Sequence, residues 1–169
     1  ITDVIVHILQ SNLDQPFAFS QGWVKVRSST IVEIQTDEGL VGWGEAFAQG
    51  LESPQIAGSA IEHSLKPLIL DSNPTDVEVL WHKMYNHTRD FGRKGSIMSA
   101  ISAIDIALWD IAGKFFEVPI SQLLGGRFRN QVQPYATGFY RLNGKNEEGR
   151  LAEEAIVHNE AGFNAMKIK

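Results

Sequence analysis

Two lysines near the end of the sequence have a spacing that could place both amines in one site. Lys167 and Lys169 lie in the stretch 164–169 (NAMKIK), whose alternating character predicts a β-strand. Side chains alternate between the faces of a strand, so both lysines project from one face, and Met166 and Ile168 from the other. A second ammonium or a metal ion disfavours the charged form of a lysine, and a neutral amine can act as a general base. The pair therefore fits proton abstraction, although most KxK sequences at strand ends are simply solvated.

The lysines close a β-α-β pattern. Residues 131–139 are predicted to form a strand, and 147–161 a helix with Leu151, Ala155 and Ile156 facing inward. A unit of this kind implies parallel strands joined by a right-handed crossover. A (β/α)8 barrel places its catalytic groups near the C-terminal ends of such strands. Two parallel strands are not a stable sheet, so we expect the remainder of the sheet to lie outside this sequence.

An α+β pattern precedes this unit. Three strands are predicted at 3–10, 30–36 and 40–46. The last two flank a turn in which Gly39 supplies the positive φ, and 11–29 is predicted to be a long polar and aromatic loop. Apolar residues recur every three or four positions from 96 to 115, which predicts a long helix.

Composition excludes several classes of function. The net charge is -5 and no stretch concentrates Lys and Arg, so we expect neither a nucleic-acid nor a membrane partner. The sequence has no cysteine, which excludes disulfides, thiolate nucleophiles and cysteine-based zinc sites. The first residues lack the pattern of a signal peptide, and we expect a cytoplasmic location.

Other acidic residues are better interpreted as structural. Glu45 lies at a strand end, where a carboxylate more often caps or pairs than catalyses. Asp105 and Asp110 are five residues apart on the predicted long helix and therefore cannot form a carboxylate pair on one face. We expect them to bond a cap or an arginine in a structural role.

Three stretches together carry a resemblance to a known family. They are 36–46 (TDEGLVGWGEA), 99–126 (SAISAIDIALWDIAGKFFEVPISQLLGG) and 162–169 (GFNAMKIK). Over nearly its whole length the sequence resembles the enolase superfamily, in particular its mandelate racemase and muconate lactonizing enzyme type. The resemblance implies an α+β capping domain over 1–126, with a three-stranded antiparallel sheet and helices. It also implies the first β-α-β of a truncated (β/α)8-type barrel over 127–169.

The resemblance assigns roles to the lysines and to the first barrel strand. Lys169 matches the general base of the family's KxK motif, and Lys167 matches the lysine that lies near the substrate carboxylate. Thr137 matches a hydroxyl-bearing position that contacts this carboxylate in some members, and Tyr135 shares its face.

Two loops of the capping domain close over the barrel mouth in this family and set substrate preference. Phe17, Phe19 and Trp23 lie on the first of these loops, and Phe47 and Gln49 lie near the second. The alternative is that these aromatic side chains only anchor their loop to its own sheet.

Enzymes of this family remove a proton next to a carboxylate, and Mg²⁺ stabilises the enediolate that results. The resemblance places the metal ligands on later barrel strands, so we expect them beyond residue 169 and expect this chain alone to be inactive. The substrate is expected to be a small carboxylate, for which we favour a sugar acid, and the full-length enzyme is expected to be a homo-oligomer. We favour an acid-sugar dehydratase. The alternatives are a racemase, epimerase or cycloisomerase of the same superfamily, and a non-catalytic binding or assembly module.

Overall fold

The computed structural model describes residues 1–48, 50–144 and 146–169. They form two compact units. The first unit contains Ile1–Gln10 and Ser28–Arg127, and the second contains Ser11–Arg27 and Phe128–Lys169. The predicted domain boundary at residue 126 stays a prediction.

The long strands of the chain form a meander. They are β1 (Asp3–Phe19), β2 (Gly22–Gln35) and β3 (Val41–Ala46). β2 and β3 pair antiparallel, from Thr30 opposite Ala46 to Gln35 opposite Val41. Gly39 has a φ of 81° in the turn between them, which confirms the predicted hairpin.

The predicted loop at 11–29 is wrong, because most of this segment is strand. β1 runs to Phe19, and β2 begins at Gly22 after a two-residue turn. In β2, Val24 is fully buried while its neighbours Trp23 and Lys25 are exposed. This period-two alternation is a strand signal, but the many polar residues around it resemble a loop.

Helices cover the sheet of the first unit. They are α1 (Pro54–Ala60), α2 (Lys66–Ile69), α3 (Val77–Gly92), α4 (Ser96–Phe115) and α5 (Ile120–Leu123). A π-helical segment, Ile61–Leu65, joins α1 to α2. Pro67 lies just after it and has no N–H to continue the α-helical ladder, which accounts for the irregularity. The predicted helix at 96–115 is confirmed at both ends.

α4 forms the centre of the first unit's core. Ile101, Ile104 and Leu108 have no exposed surface, and neither do Val32 and Ile34 of β2. Each such side chain contributes about 1.5–3 kcal/mol to the free energy of folding. In the described part of the chain, α4 is also the one helix with the length and hydropathy of a membrane span. The apolar face of α4 is buried in this core.

The second unit contains four further elements. They are β4 (Ala136–Thr137), β5 (Arg141–Leu142), α6 (Glu147–Glu160) and β6 (Met166–Lys167). β4 and β6 pair in parallel, as the β-α-β pattern predicts, but each strand is much shorter than predicted. β5 was not predicted; it pairs antiparallel with β1 and so adds a fourth strand to the predicted three.

The predicted inward face of α6 is only partly right. Leu151 and Ala155 are half-buried, but Ile156 is 57% exposed. Arg150, Leu151, Glu154, Ala155 and His158 form the less exposed stripe of the helix, at the i, i+4, i+8 spacing of one helical face. Ile156 lies outside this stripe.

Candidate active site

The parallel pair β4–β6 brings two of the predicted site residues together. Thr137 lies opposite Lys167, and Ala136 lies opposite Met166. Thr137 and Lys167 are both exposed, whereas Ala136 is 6% exposed and Met166 half-buried. Paired residues of parallel strands point to the same face, so the hydroxyl and the amine share the open face of this small sheet. Within β6, Met166 and Lys167 differ in exposure as neighbouring strand residues do, and the common face of Lys167 and Lys169 stays a prediction.

Lys169 lies two residues further along and contacts an aromatic ring. Its Nζ is 5.5 Å from the centroid of the Tyr140 ring, within the range of a cation–π contact. Ile168, on the face opposite the lysines in the predicted strand, is 71% exposed, because the strand pairing ends at Lys167.

Tyr140 joins Lys169 to the β1–β2 hairpin. The ring centroids of Tyr140 and Phe17 are 4.3 Å apart, with 51° between the ring planes. The guanidinium carbon of Arg27 lies 4.8 Å from the Phe17 centroid. Lys169, Tyr140, Phe17 and Arg27 thus form a continuous series of contacts, the aromatic row. Through this row the structure brings predicted Phe17 into the neighbourhood of predicted Lys169.

The turn after β4 holds Tyr140 in place with a strained backbone. Phe139 has a φ of 59°, in the left-handed region that costs a bulky residue about 1–2 kcal/mol. Two side chains of α6 stabilise it. The Phe139 N–H donates to Glu154 Oε1 at 2.9 Å, and Arg150 donates to the Tyr140 carbonyl at 2.5 Å. Arg150 also donates to Glu154 Oε2 at 3.0 Å, so Arg150 and Glu154 act together as the α6 clamp.

Gly138 leaves room for the Glu154 carboxylate of the clamp. A Cβ built on Gly138 would overlap Glu154 Oε1. Phe139 itself is 3% exposed, and its ring lies 5.7 Å from the His158 ring. The strained turn is therefore fixed from three sides, by two hydrogen bonds and a buried ring.

An open groove of about 500 Å³ adjoins the aromatic row. Lys169 and Arg141 supply cations to its lining, and Glu147 and Glu148 supply carboxylates. Arg141 Nε is 4.0 Å from Glu147 Oε2. A groove of this size accommodates a small-molecule ligand, and its cations could bind a carboxylate group.

The remaining predicted site residues are less closely associated. Phe19 is half-buried, while Trp23 is 43% and Tyr135 54% exposed; the aromatic contacts of the described residues include none of these three. Phe47 is 62% exposed in the first unit. Gln49 lies outside the described residues.

Two acidic residues outside this region have structural partners. Asp110 accepts from the Trp43 N–H at 2.9 Å and from Lys114 Nζ at 2.6 Å, so its partners are structural but are neither the predicted cap nor an arginine. Glu45 accepts from the Ser29 hydroxyl at 2.5 Å, across the β2–β3 pair.

The sequence profile of the family described as "Mandelate racemase / muconate lactonizing enzyme, N-terminal domain" matches residues 1–125. The chain belongs to this family. The resemblance to the enolase superfamily is confirmed, and so is the predicted fold class of a capping domain followed by the start of a larger fold.

Members of the family with known names resemble the chain closely. The D-galactarolactone cycloisomerase of Agrobacterium fabrum is 38% identical over 169 residues, which are 100% of this chain and 43% of that protein. The arabinonate dehydratase of Saccharolobus solfataricus is 43% identical over 138 residues, 81% of this chain and 36% of that protein. The crystal structure of a racemase from Streptomyces coelicolor A3(2) with bound magnesium matches with a TM-score of 0.88 and 25% identity, over 99% of this chain and 46% of that one. The chain therefore spans less than half the length of these relatives.

Membership of the mandelate racemase / muconate lactonizing enzyme family implies Mg²⁺. Within the part of the chain that the structure describes, no three His, Asp or Glu side chains come together as a possible metal site. These residues consequently do not fit a magnesium ion, and any family-type metal site would need ligands from elsewhere.

Sequence reasoning missed Tyr140 and the α6 clamp. The signal for the clamp is present, since Arg150 and Glu154 are spaced i, i+4 on a predicted helix. Nothing in the sequence shows that this ion pair reaches back to the backbone after β4.

Proposed function

We propose that this chain is part of a Mg²⁺-dependent acid-sugar dehydratase in which Lys169 removes the proton next to the substrate carboxylate. The observation that carries the proposal is the β4–β6 pair, which places Thr137 beside Lys167 and leads directly to Lys169. Relatives of the mandelate racemase / muconate lactonizing enzyme family with names such as arabinonate dehydratase support a sugar acid as the substrate.

Lys169, Lys167 and Thr137 have distinct roles in this proposal. Lys169 accepts the α-proton as its neutral amine, and the Tyr140 ring stabilises the ammonium that results. Lys167 and Thr137 bind the substrate carboxylate by a charge-assisted hydrogen bond and a hydroxyl hydrogen bond. The electron pair left on the α-carbon forms a carbon–carbon double bond as the bond from the β-carbon to its hydroxyl breaks. The departing hydroxyl takes a proton from the Lys169 ammonium or from solvent and leaves as water. The enol that remains gains a proton at the β-carbon and loses one from its α-oxygen, which gives a 2-keto acid.

The metal belongs to the same proposal. A bound Mg²⁺ would supply electrostatic stabilisation of the anion formed on proton removal. We propose that its ligands lie in sequence other than the described residues, which hold no suitable cluster. The homo-oligomeric state, the cytoplasmic location and the inactivity of the 169-residue chain alone stay predictions.

A cycloisomerase is a second candidate, favoured by one observation. A relative that matches over all 169 residues is named as a D-galactarolactone cycloisomerase. The same base would remove the α-proton, but an oxygen of the substrate would move within the molecule and no water would be lost.

The experiment is a product assay on the enzyme that contains this chain. Arabinonate, galactonate, xylonate and D-galactarolactone are each incubated with enzyme and Mg²⁺, and products are identified by mass spectrometry and by reaction with semicarbazide. A 2-keto acid lighter than its substrate by one water supports the dehydratase. An isomer formed from the lactone supports the cycloisomerase and contradicts dehydration. If none of the four compounds is converted and none exchanges its α-proton, both the dehydratase and the cycloisomerase proposals are contradicted.

A further inference from the structure

We propose that Tyr140 is a positioning residue for Lys169, and that the β1–β2 hairpin acts on the base through it. This inference rests on the proposed role of Lys169 as the base. Tyr140 is not among the site residues predicted from the sequence. The proposal is argued from the contacts that Tyr140 makes in the structure.

The first contact is between the ring and the amine. Lys169 is exposed, and a long exposed side chain samples many rotamers unless a contact restricts it. The Tyr140 ring, 5.5 Å from Nζ, is the one aromatic or cation–π partner of Lys169 within the described residues. The contact with the ring therefore limits the directions that the Lys169 amine can take.

The second set of contacts fixes the ring itself. Tyr140 follows the left-handed Phe139, and the α6 clamp bonds the backbone on both sides of their shared peptide. Strained residues of this kind persist only where the surroundings over-determine them, and they cluster at functional sites. The α6 clamp therefore fixes the Tyr140 backbone, and the direction of the ring is left to its side-chain contacts.

The third contact brings in the hairpin. Phe17 packs on the Tyr140 ring and also pairs through its backbone with Leu142, two residues beyond Tyr140. The hairpin is thus held both by β1–β5 hydrogen bonding and by ring contact. A displacement of the hairpin tip would change the packing of Tyr140 and, through Tyr140, the surroundings of the Lys169 amine.

The test compares Tyr140→Phe, which keeps the ring, with Tyr140→Leu, which removes it, in the enzyme that contains this chain. The first measurement is the rate at which acetic anhydride acetylates Lys169, with Lys167 as the internal reference, by peptide mass spectrometry. We expect the ratio of Lys169 to Lys167 labelling to rise about threefold in Tyr140→Leu and to stay unchanged in Tyr140→Phe. An unchanged ratio in Tyr140→Leu would overturn the contact.

The second measurement is α-proton exchange of the aldonate that the enzyme turns over fastest. We expect kcat for exchange to fall by about threefold to thirtyfold in Tyr140→Leu, with KM changed less than about twofold, because the ring touches the base and not the substrate. Tyr140→Phe should retain the parent kcat. A loss in both variants, or a loss that follows the fraction of unfolded protein by circular dichroism, would assign Tyr140 to packing and overturn the proposal.

The two proposals fail in different ways. If Lys169→Ala keeps full exchange, the base assignment is wrong, whatever the labelling shows. If Lys169→Ala abolishes exchange and Tyr140→Leu exchanges like the parent, only the positioning role is wrong.

Discussion

Glu154 and Arg150 show at the residue scale how a helix can determine a turn that lies far from it in the sequence. Phe139 adopts a backbone conformation that its own side chain disfavours, and the Glu154 carboxylate offsets the cost by accepting the Phe139 N–H. Such a conformation depends on a tertiary hydrogen bond, so no local pattern around residues 131–139 could have predicted it.

Replacing Glu154 with alanine tests this clamp. The Phe139 N–H would lose its acceptor and the Arg150 guanidinium one of its two, and an unsatisfied buried donor costs about 1–3 kcal/mol. We expect Glu154→Ala to lower the free energy of unfolding by about that amount, measured by urea denaturation. Glu153→Ala, at the adjacent exposed position of the same helix, is the control and should change it by less than about 0.5 kcal/mol. Equal effects of the two variants would contradict the clamp.

Replacement by asparagine is expected to change the free energy of unfolding in opposite directions at Asp105 and Asp110 of α4. Burial, with the nearby Glu78 carboxylate, raises the pKa of Asp105 above its ordinary value of 3.8. Stability from this group is therefore lost as the pH rises from about 3.8 through the raised pKa, because the unfolded chain ionises first. Asp110, in contrast, accepts hydrogen bonds from Trp43 and Lys114.

We accordingly expect Asp105→Asn to raise the free energy of unfolding at pH 7 and to leave it unchanged near pH 3, where both states are protonated. Asp110→Asn should lower it at pH 7 by about 1–2 kcal/mol through the loss of its charge-assisted bonds. Urea denaturation at the two pH values measures both. A gain for Asp105→Asn that is as large near pH 3 as at pH 7 would show that burial of the charge is not its cause.

At the scale of elements, the sequence predicts best where one period is sustained. α4 was predicted with its observed ends because its apolar stripe runs for 20 residues. The outer halves of β1 and β2 were mistaken for a loop because their strand period is short and lies among polar residues. β5 pairs over two residues only, too few to leave any pattern in the sequence.

The contact of α4 with β3 gives a sharp test at this scale. A Cβ on Gly44 would overlap the Ala103 carbonyl oxygen, which is backbone and cannot move aside. We expect Gly44→Ala to lower the free energy of unfolding by about 3 kcal/mol or more. Gly39→Ala is the matched control, with positive φ but open space around it, and should cost about 1 kcal/mol. A Gly44→Ala variant as stable as Gly39→Ala would contradict the close approach of α4 to β3.

At the scale of the whole molecule, the family could be identified from the sequence because three separated stretches agree on it. The common face of the two lysines is predicted from strand alternation, whereas the register that sets Thr137 beside Lys167 comes from the pairing of β4 with β6. The aromatic row could not be predicted, because Phe17 and Tyr140 are separated by more than a hundred residues and meet only through the β1–β5 pairing. Substrate choice within the family stays a matter for the product assay.

The most direct test of the central claim is solvent exchange of the substrate α-proton by Lys169→Ala in the enzyme that contains this chain. Exchange is followed by NMR in deuterium oxide with Mg²⁺ and the aldonate turned over fastest. Lys83→Ala, an exposed lysine of α3 in the first unit, is the control. We predict that Lys169→Ala loses exchange by at least about a thousandfold while Lys83→Ala retains the parent rate. Parent-like exchange in a folded Lys169→Ala enzyme would show that another residue is the base.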